Sequence, residues 1–128
     1  MTKRILVFFL CIGMLWVTVG SPVASARLTH LRSISMNMAR SNNVVTSATR
    51  IEGQSGTTSI TAQFILEMLV NGNYQRVDMW SASSTSSTLN NTRETKNCGA
   101  GTYRLRVNVM VTRNGTSEIF SESLVKAL

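Results

Sequence analysis

Ala100-Gly101-Thr102-Tyr103-Arg104-Leu105-Arg106-Val107-Asn108-Val109-Met110-Val111-Thr112 is the segment that decides the fold. On an extended chain Tyr103, Leu105, Val107, Val109 and Val111 share one face, and Arg104, Arg106, Asn108 and Met110 share the other. Successive side chains of a strand point to opposite sides of the pleat, so a sustained period of two predicts a strand with one buried face. Arg113-Asn114-Gly115-Thr116 follows as a hairpin turn, because Asn and Gly tolerate the positive φ that two-residue turns impose. Ser117 to Ser123 is then expected to pair back as the last strand.

Working towards the N-terminus, the same period recurs. Ile34 to Met38 alternates apolar and polar residues, and Ser41-Asn42-Asn43 reads as a turn into a second strand, about Val44 to Ile51. Val44 and Val45 each suit the core, so the inward face of that strand stays open. Gly53-Gln54-Ser55-Gly56 has the chemistry of a tight connection. Thr58 to Val70 is the longest strand, with Ile60, Ala62, Phe64, Leu66 and Met68 on one face and Thr61, Gln63, Ile65, Glu67 and Leu69 on the other. Residues 62–70 also carry helix formers, but the β-prone Thr-Thr-Ser-Ile-Thr run before them and Asn71-Gly72-Asn73 after them favour a strand and hairpin.

Tyr74 to Trp80 returns as a fourth strand anchored by Val77 and Trp80, whose spacing of three predicts a bulge near Asp78. Ser81 to Asn91 is almost all Ser, Thr and Asn, and is read as a loop entering a polar edge strand around Thr88 to Glu94. Seven short strands with turns between them and no helical period predict an all-β chain, an antiparallel immunoglobulin-like β-sandwich. The expected core comprises Met36, Phe64, Leu66, Val77, Trp80, Tyr103, Leu105 and Val107.

The first 26 residues read as a secretory signal peptide: Lys3 and Arg4, an apolar run from Ile5 to Val19, then Pro22 and Ala24-Ser25-Ala26. Small residues at −3 and −1 place the cut after Ala26, leaving a single domain over 27–128 that is secreted and has no transmembrane segment. Two of the thirteen basic residues and none of the six acidic ones leave with the leader, so eleven face six and the mature chain carries +5. Outside a cell that charge favours anionic partners such as wall polymers, lipid headgroups or acidic glycans, and it also serves solubility. Only Cys98 survives maturation, so no disulfide within the chain is expected and packing alone must hold the fold.

The segment from Gly99 to Val107, followed by the Asn114-Gly115 hairpin, resembles the late strands of immunoglobulin-like and fibronectin type III modules. That resemblance implies a tyrosine corner, with the Tyr103 hydroxyl turned back onto the preceding connection. The paired cysteines of antibody domains are absent, and Trp80 does not match their inter-sheet Trp. Over about residues 33–123 the chain also resembles small secreted β-sandwich proteins of Gram-positive bacteria with no assigned activity. That likeness implies fold and location rather than function.

Catalytic chemistry finds little support. Gly53-Gln54-Ser55-Gly56 is superficially similar to the Gly-Asp-Ser-Gly of chymotrypsin-like proteases, but the one histidine, His30, lies in a segment expected to fray. Glu52, Glu67, Asp78, Glu94, Glu118 and Glu122 show no spacing that implies a two-carboxylate cleft, and arginines on neighbouring strands account for them equally well. No ligand cluster for zinc or calcium stands out, so no metal or cofactor is expected. Dispersed basic residues without exposed aromatics argue against nucleic acid. Asn90-Asn91-Thr92 and Asn114-Gly115-Thr116 are read as turn chemistry rather than as glycosylation sites.

Binding is the better expectation. Arg104 and Arg106 project from one face, and a neighbouring Thr58–Val70 strand would set Glu67 and Gln63 opposite them. The bland outcome is an exposed cross-strand ion pair worth under about 1 kcal/mol. The sharper one is a ligand platform for an anion or glycan built from Arg104, Arg106, Gln63 and Asn108, with Tyr103, Trp80 and Phe64 as structural support. Ile65, Leu69 and Met110 would share that face, to be covered by residues 27–33 or by a second chain in a homodimer. The expected role is thus a secreted non-catalytic binding module at the cell surface or in the medium, with a cell-envelope polymer or protein as partner. The alternative is a secreted antagonist, such as a bacteriocin-like toxin or an enzyme inhibitor.

Overall fold

A computed structural model describes residues 30–128; the expected leader and its cut after Ala26 lie outside the described residues. The described chain is all β: β1 (Leu31–Ser41), β2 (Val44–Gly53), β3 (Thr57–Val70), β4 (Asn73–Ser84), β5 (Thr88–Thr95), β6 (Thr102–Arg113) and β7 (Thr116–Ala127). β1, β2 and β5 form one antiparallel sheet in that order, and β4, β3, β6 and β7 form the other. The two inner faces close over one core, giving the immunoglobulin-like sandwich that alternation predicts.

Three hairpins fix the local registers. Asn42-Asn43, Asn71-Gly72 and Asn114-Gly115 all take positive φ at both central positions, the mirror-image turn whose twist matches that of paired strands. The Asn71-Gly72 turn sets Val70 opposite Asn73, and the ladder from there puts Glu67 opposite Arg76. Several hydrogen bonds fasten the longer β5–β6 connection. The Cys98 N–H donates to the Asn43 carbonyl at 2.8 Å. The fully buried Tyr103 donates its hydroxyl to the Gly99 carbonyl at 2.6 Å, which is the tyrosine corner.

Phe64, Leu66, Tyr103, Leu105 and Val107 are fully buried, as their alternation predicts, and are joined by Met38, Val45, Ile51, Ile60, Val109 and Val111. β2 turns Val45, Ser47, Thr49 and Ile51 inward, which settles the face that sequence leaves open. Met36 and Trp80 pack against this core from its margin. The Trp80 ring stacks on Phe64, its direct partner across the ladder, with centroids 5.4 Å apart and planes 11° from parallel.

Two expectations for β4 need correction. The predicted bulge is there, with the register shifting between Leu66 and Glu67, but Val77 is the residue left without a partner and is 37% exposed rather than a core anchor. The extra residue absorbs the phase break, so Asp78 and Trp80 share the inner face and Val77 is displaced from it. Ser81 to Ser84 continue β4 instead of forming a loop, because β3 offers partners as far as Ile60 opposite Ser84. His30 is not frayed. Its N–H donates to Glu118 at 2.9 Å, and its carbonyl accepts from the Gln54 N–H at 2.8 Å.

Polar contacts seal both open sides of the sandwich. Between β4 and β5, Arg93 grips Asp78 through two hydrogen bonds of 2.9 and 3.1 Å, Thr95 donates to the same carboxylate at 2.7 Å, and Trp80 Nε1 donates to Asn91 at 2.8 Å. Between β1 and β7, Lys126 donates to the Met38 carbonyl at 2.9 Å. Cys98 is buried and unpaired, so the described residues hold together without a disulfide.

Candidate functional site

The outward face of the four-stranded sheet carries the charged cluster. Its two middle strands, β3 and β6, run with Gln63 opposite Asn108, Ile65 opposite Arg106 and Glu67 opposite Arg104. Arg104 therefore meets Glu67 directly, with Nε donating to Oε1 at 2.7 Å. Arg106 reaches the same carboxylate diagonally, with Nε and a terminal nitrogen donating to Oε1 and Oε2 at 2.9 and 3.1 Å. Gln63 does not face either arginine. Its side-chain oxygen accepts from Asn108 at 3.5 Å, and Asn108 in turn accepts from Ser121 Oγ at 2.7 Å.

Glu67 is only 7% exposed although it lies on the outer face, because the two guanidinium groups cover it. The pair is thus no ordinary solvent-exposed bridge. Burial works to raise the Glu67 carboxyl, and the hydrogen bonds from Arg104 and Arg106 outweigh it, holding the group below the usual carboxylate range. Both arginines keep solvent contact, with side chains 30% and 43% exposed. Each guanidinium has five N–H donors in a planar fork, and Arg104 uses its Nε–H alone on Glu67, so donors remain for an anion.

Two contributors escape a reading based on single strands. Tyr74 lies under Arg104, whose guanidinium carbon sits 3.9 Å from the ring centre and is oriented by that face. Arg76 stands opposite Glu67 on the β4 side, with one terminal nitrogen 3.8 Å from the Met79 sulfur. Both positions follow from the two-residue Asn71-Gly72 turn, so the signal was in the hairpin register rather than in any motif. The resulting patch gathers Arg76, Arg104 and Arg106 around the single carboxylate of Glu67.

Ile65, Leu69 and Met110 share this outer face, and Leu69 and Met110 are exposed. Residues 31–33 do not cover them, since β1 pairs with β2 in the opposite sheet. Trp80, Phe64 and Tyr103 lie on the inner side and support the platform from beneath. Among the described residues, no group of three or more His, Cys, Asp or Glu could hold a metal ion, and no helix is long and apolar enough to cross a membrane. Gly53-Gln54-Ser55-Gly56 is an ordinary turn, in which Thr57 N–H and Oγ1 donate to the Gln54 carbonyl at 3.1 and 2.6 Å.

Fold and site together define a seven-stranded antiparallel β-sandwich with a guanidinium-rich outer sheet face. No family model matches the chain, and no curated protein matches it. Among solved structures, a protein from Archaeoglobus fulgidus is similar at 12% identity over 77% of this chain and 97% of its own, with a TM-score of 0.34. At that score the likeness carries no argument about function.

Proposed function

We propose that this chain is a secreted, non-catalytic binding module of a Gram-positive cell envelope, of immunoglobulin or fibronectin type III kinship, that holds an anionic polymer on its four-stranded face. The observation that carries this reading is the buried Glu67 beneath Arg104 and Arg106. One carboxylate orients two guanidinium groups without exhausting their donors, and Arg76 and Tyr74 extend the patch along β4. Three arginines against one carboxylate leave excess positive charge on a flat, exposed sheet. That arrangement suits phosphate or carboxylate groups repeated along a wall polymer or acidic glycan. Asn108, Gln63 and Ser121 add neutral hydrogen-bonding groups beside it.

Retention of residues 27–128 on immobilised anionic wall polymer tests the reading. Arg104→Ala/Arg106→Ala is expected to weaken retention about tenfold or more at moderate salt, two charge-assisted contacts being lost. Unchanged retention in a variant that still folds overturns it. A growth-inhibition assay on related bacteria separates a passive binder from a secreted antagonist, because only the antagonist kills.

A further inference from the structure

β7 ends the four-stranded sheet, and its outer edge pairs with no other strand among the described residues. All twelve of its residues pair with β6 without a register shift, and none is Pro or Gly. The other edges are blunted: β4 by the bulge at Val77, β1 by a shift between Leu31 and Ser33, and β5 by its shorter run of eight residues and its polar seam with β4. A long straight edge of this kind presents a row of backbone donors and acceptors that templates another strand.

We propose that the occupant of this edge is a second copy of the chain, with β7 pairing antiparallel to β7 of its partner about a two-fold axis at Glu122. The strand's own sequence selects that partner, because Glu118-Ile119-Phe120-Ser121-Glu122-Ser123-Leu124-Val125-Lys126 is palindromic in character about Glu122. Pairing there sets Ile119 against Val125, Phe120 against Leu124, Ser121 against Ser123 and Glu118 against Lys126, each twice, as an isologous contact requires. Ile119 and Val125 are the most exposed large apolar side chains among the described residues, at 73% and 53%, and this register covers both. Phe120 and Leu124 already pack on the core margin, so their contact carries the apolar layer across the junction.

Charge fits the same register. Glu118 accepts from the His30 N–H and Lys126 donates to the Met38 carbonyl, contacts that hold both side chains on the inner row beside the edge. Moving the axis to Phe120 sets Glu118 against Glu122, and moving it to Leu124 sets Ser123 against Val125. Only Glu122 meets its own kind when the axis lies on it, and one like-charge pair is outweighed by two opposite-charge and four apolar pairs.

Light scattering on residues 27–128, which contain every strand and the whole core of the described residues, tests the association, with folding checked by circular dichroism. Twice the chain mass is expected at high concentration, and a monomer at millimolar protein overturns the proposal. Glu122→Cys is expected to oxidise to a covalent dimer at least tenfold faster than Ser117→Cys, which this register holds far from its own copy. Equal rates overturn the register. Lys126→Glu is expected to weaken the dimer about tenfold, and Glu118→Lys added to it is expected to restore association. A dimer that survives both Lys126→Glu and oxidation control but is lost in Leu69→Asp lies on the sheet face instead, and also overturns the proposal.

Discussion

Tyr103 shows how one side chain can hold a connection that its backbone cannot. The ring is wholly buried while the hydroxyl reaches the Gly99 carbonyl at 2.6 Å, anchoring the β5–β6 crossing to the start of β6. Tyr103→Phe keeps the ring and removes this bond, so it should cost about 1 kcal/mol, seen as a fall of roughly 4–8 °C in Tm for a domain this size. The alternation around Tyr103 and the Gly-x-Tyr pattern made this residue legible in the sequence. Val77 was not legible, because an apolar residue three before a Trp looks like a second anchor until the ladder shows which one is extra. Which residue a bulge leaves unpaired depends on both strands, and the pattern of one does not show it.

Among elements, the Asn-Gly hairpins were the most faithful guides, since two residues fix both the turn and the register beyond it. Gly115 sits at φ 78° with open space where a Cβ would lie, so Gly115→Ala meets no clash and pays only for left-handed backbone. The expected cost is about 1–2 kcal/mol in chemical unfolding, whereas Gly99→Ala, also in open space but without positive φ, should change little. β4 ran past its expected end because Ser and Thr become strand residues when a partner supplies their backbone bonds. β3, with β4 on one side and β6 on the other, supplies them. Across β3 the alternation already set Glu67 against the arginines once the two strands were neighbours, but placing Gln63 opposite Asn108 needs the β3–β6 register, which no turn between adjacent strands sets.

For the whole molecule, acid is the sharpest probe. Burial tends to raise Glu67 and Asp78, yet hydrogen bonds from Arg104 and Arg106, and from Arg93, Thr95 and the Met79 N–H, leave both below their ordinary values. A carboxyl lowered in the folded state contributes stability that is complete above its unfolded pKa and is lost as pH falls through the folded one. Thermal melts should therefore drop between about pH 5 and pH 2, and Glu67→Gln, costing about 1–3 kcal/mol at pH 7, should cost little at pH 2. The two-layer architecture was readable from periodicity, but the seam of Asp78 with Arg93 and Thr95 crosses from one sheet to the other and was not. Arg104, Arg106 and Glu67 ride on β6 and β3, the inner pair of the sheet, and Arg76 lies on β4 at the far edge, so the cluster stays clear of the β7 rim. Two copies abutting along β7 would turn their clusters to the same side, with their β6 strands on the order of 14 Å apart at one strand spacing per step. A polymer with a short chemical repeat would then meet twin stations on one plane, and its residence would lengthen through avidity without any new contact.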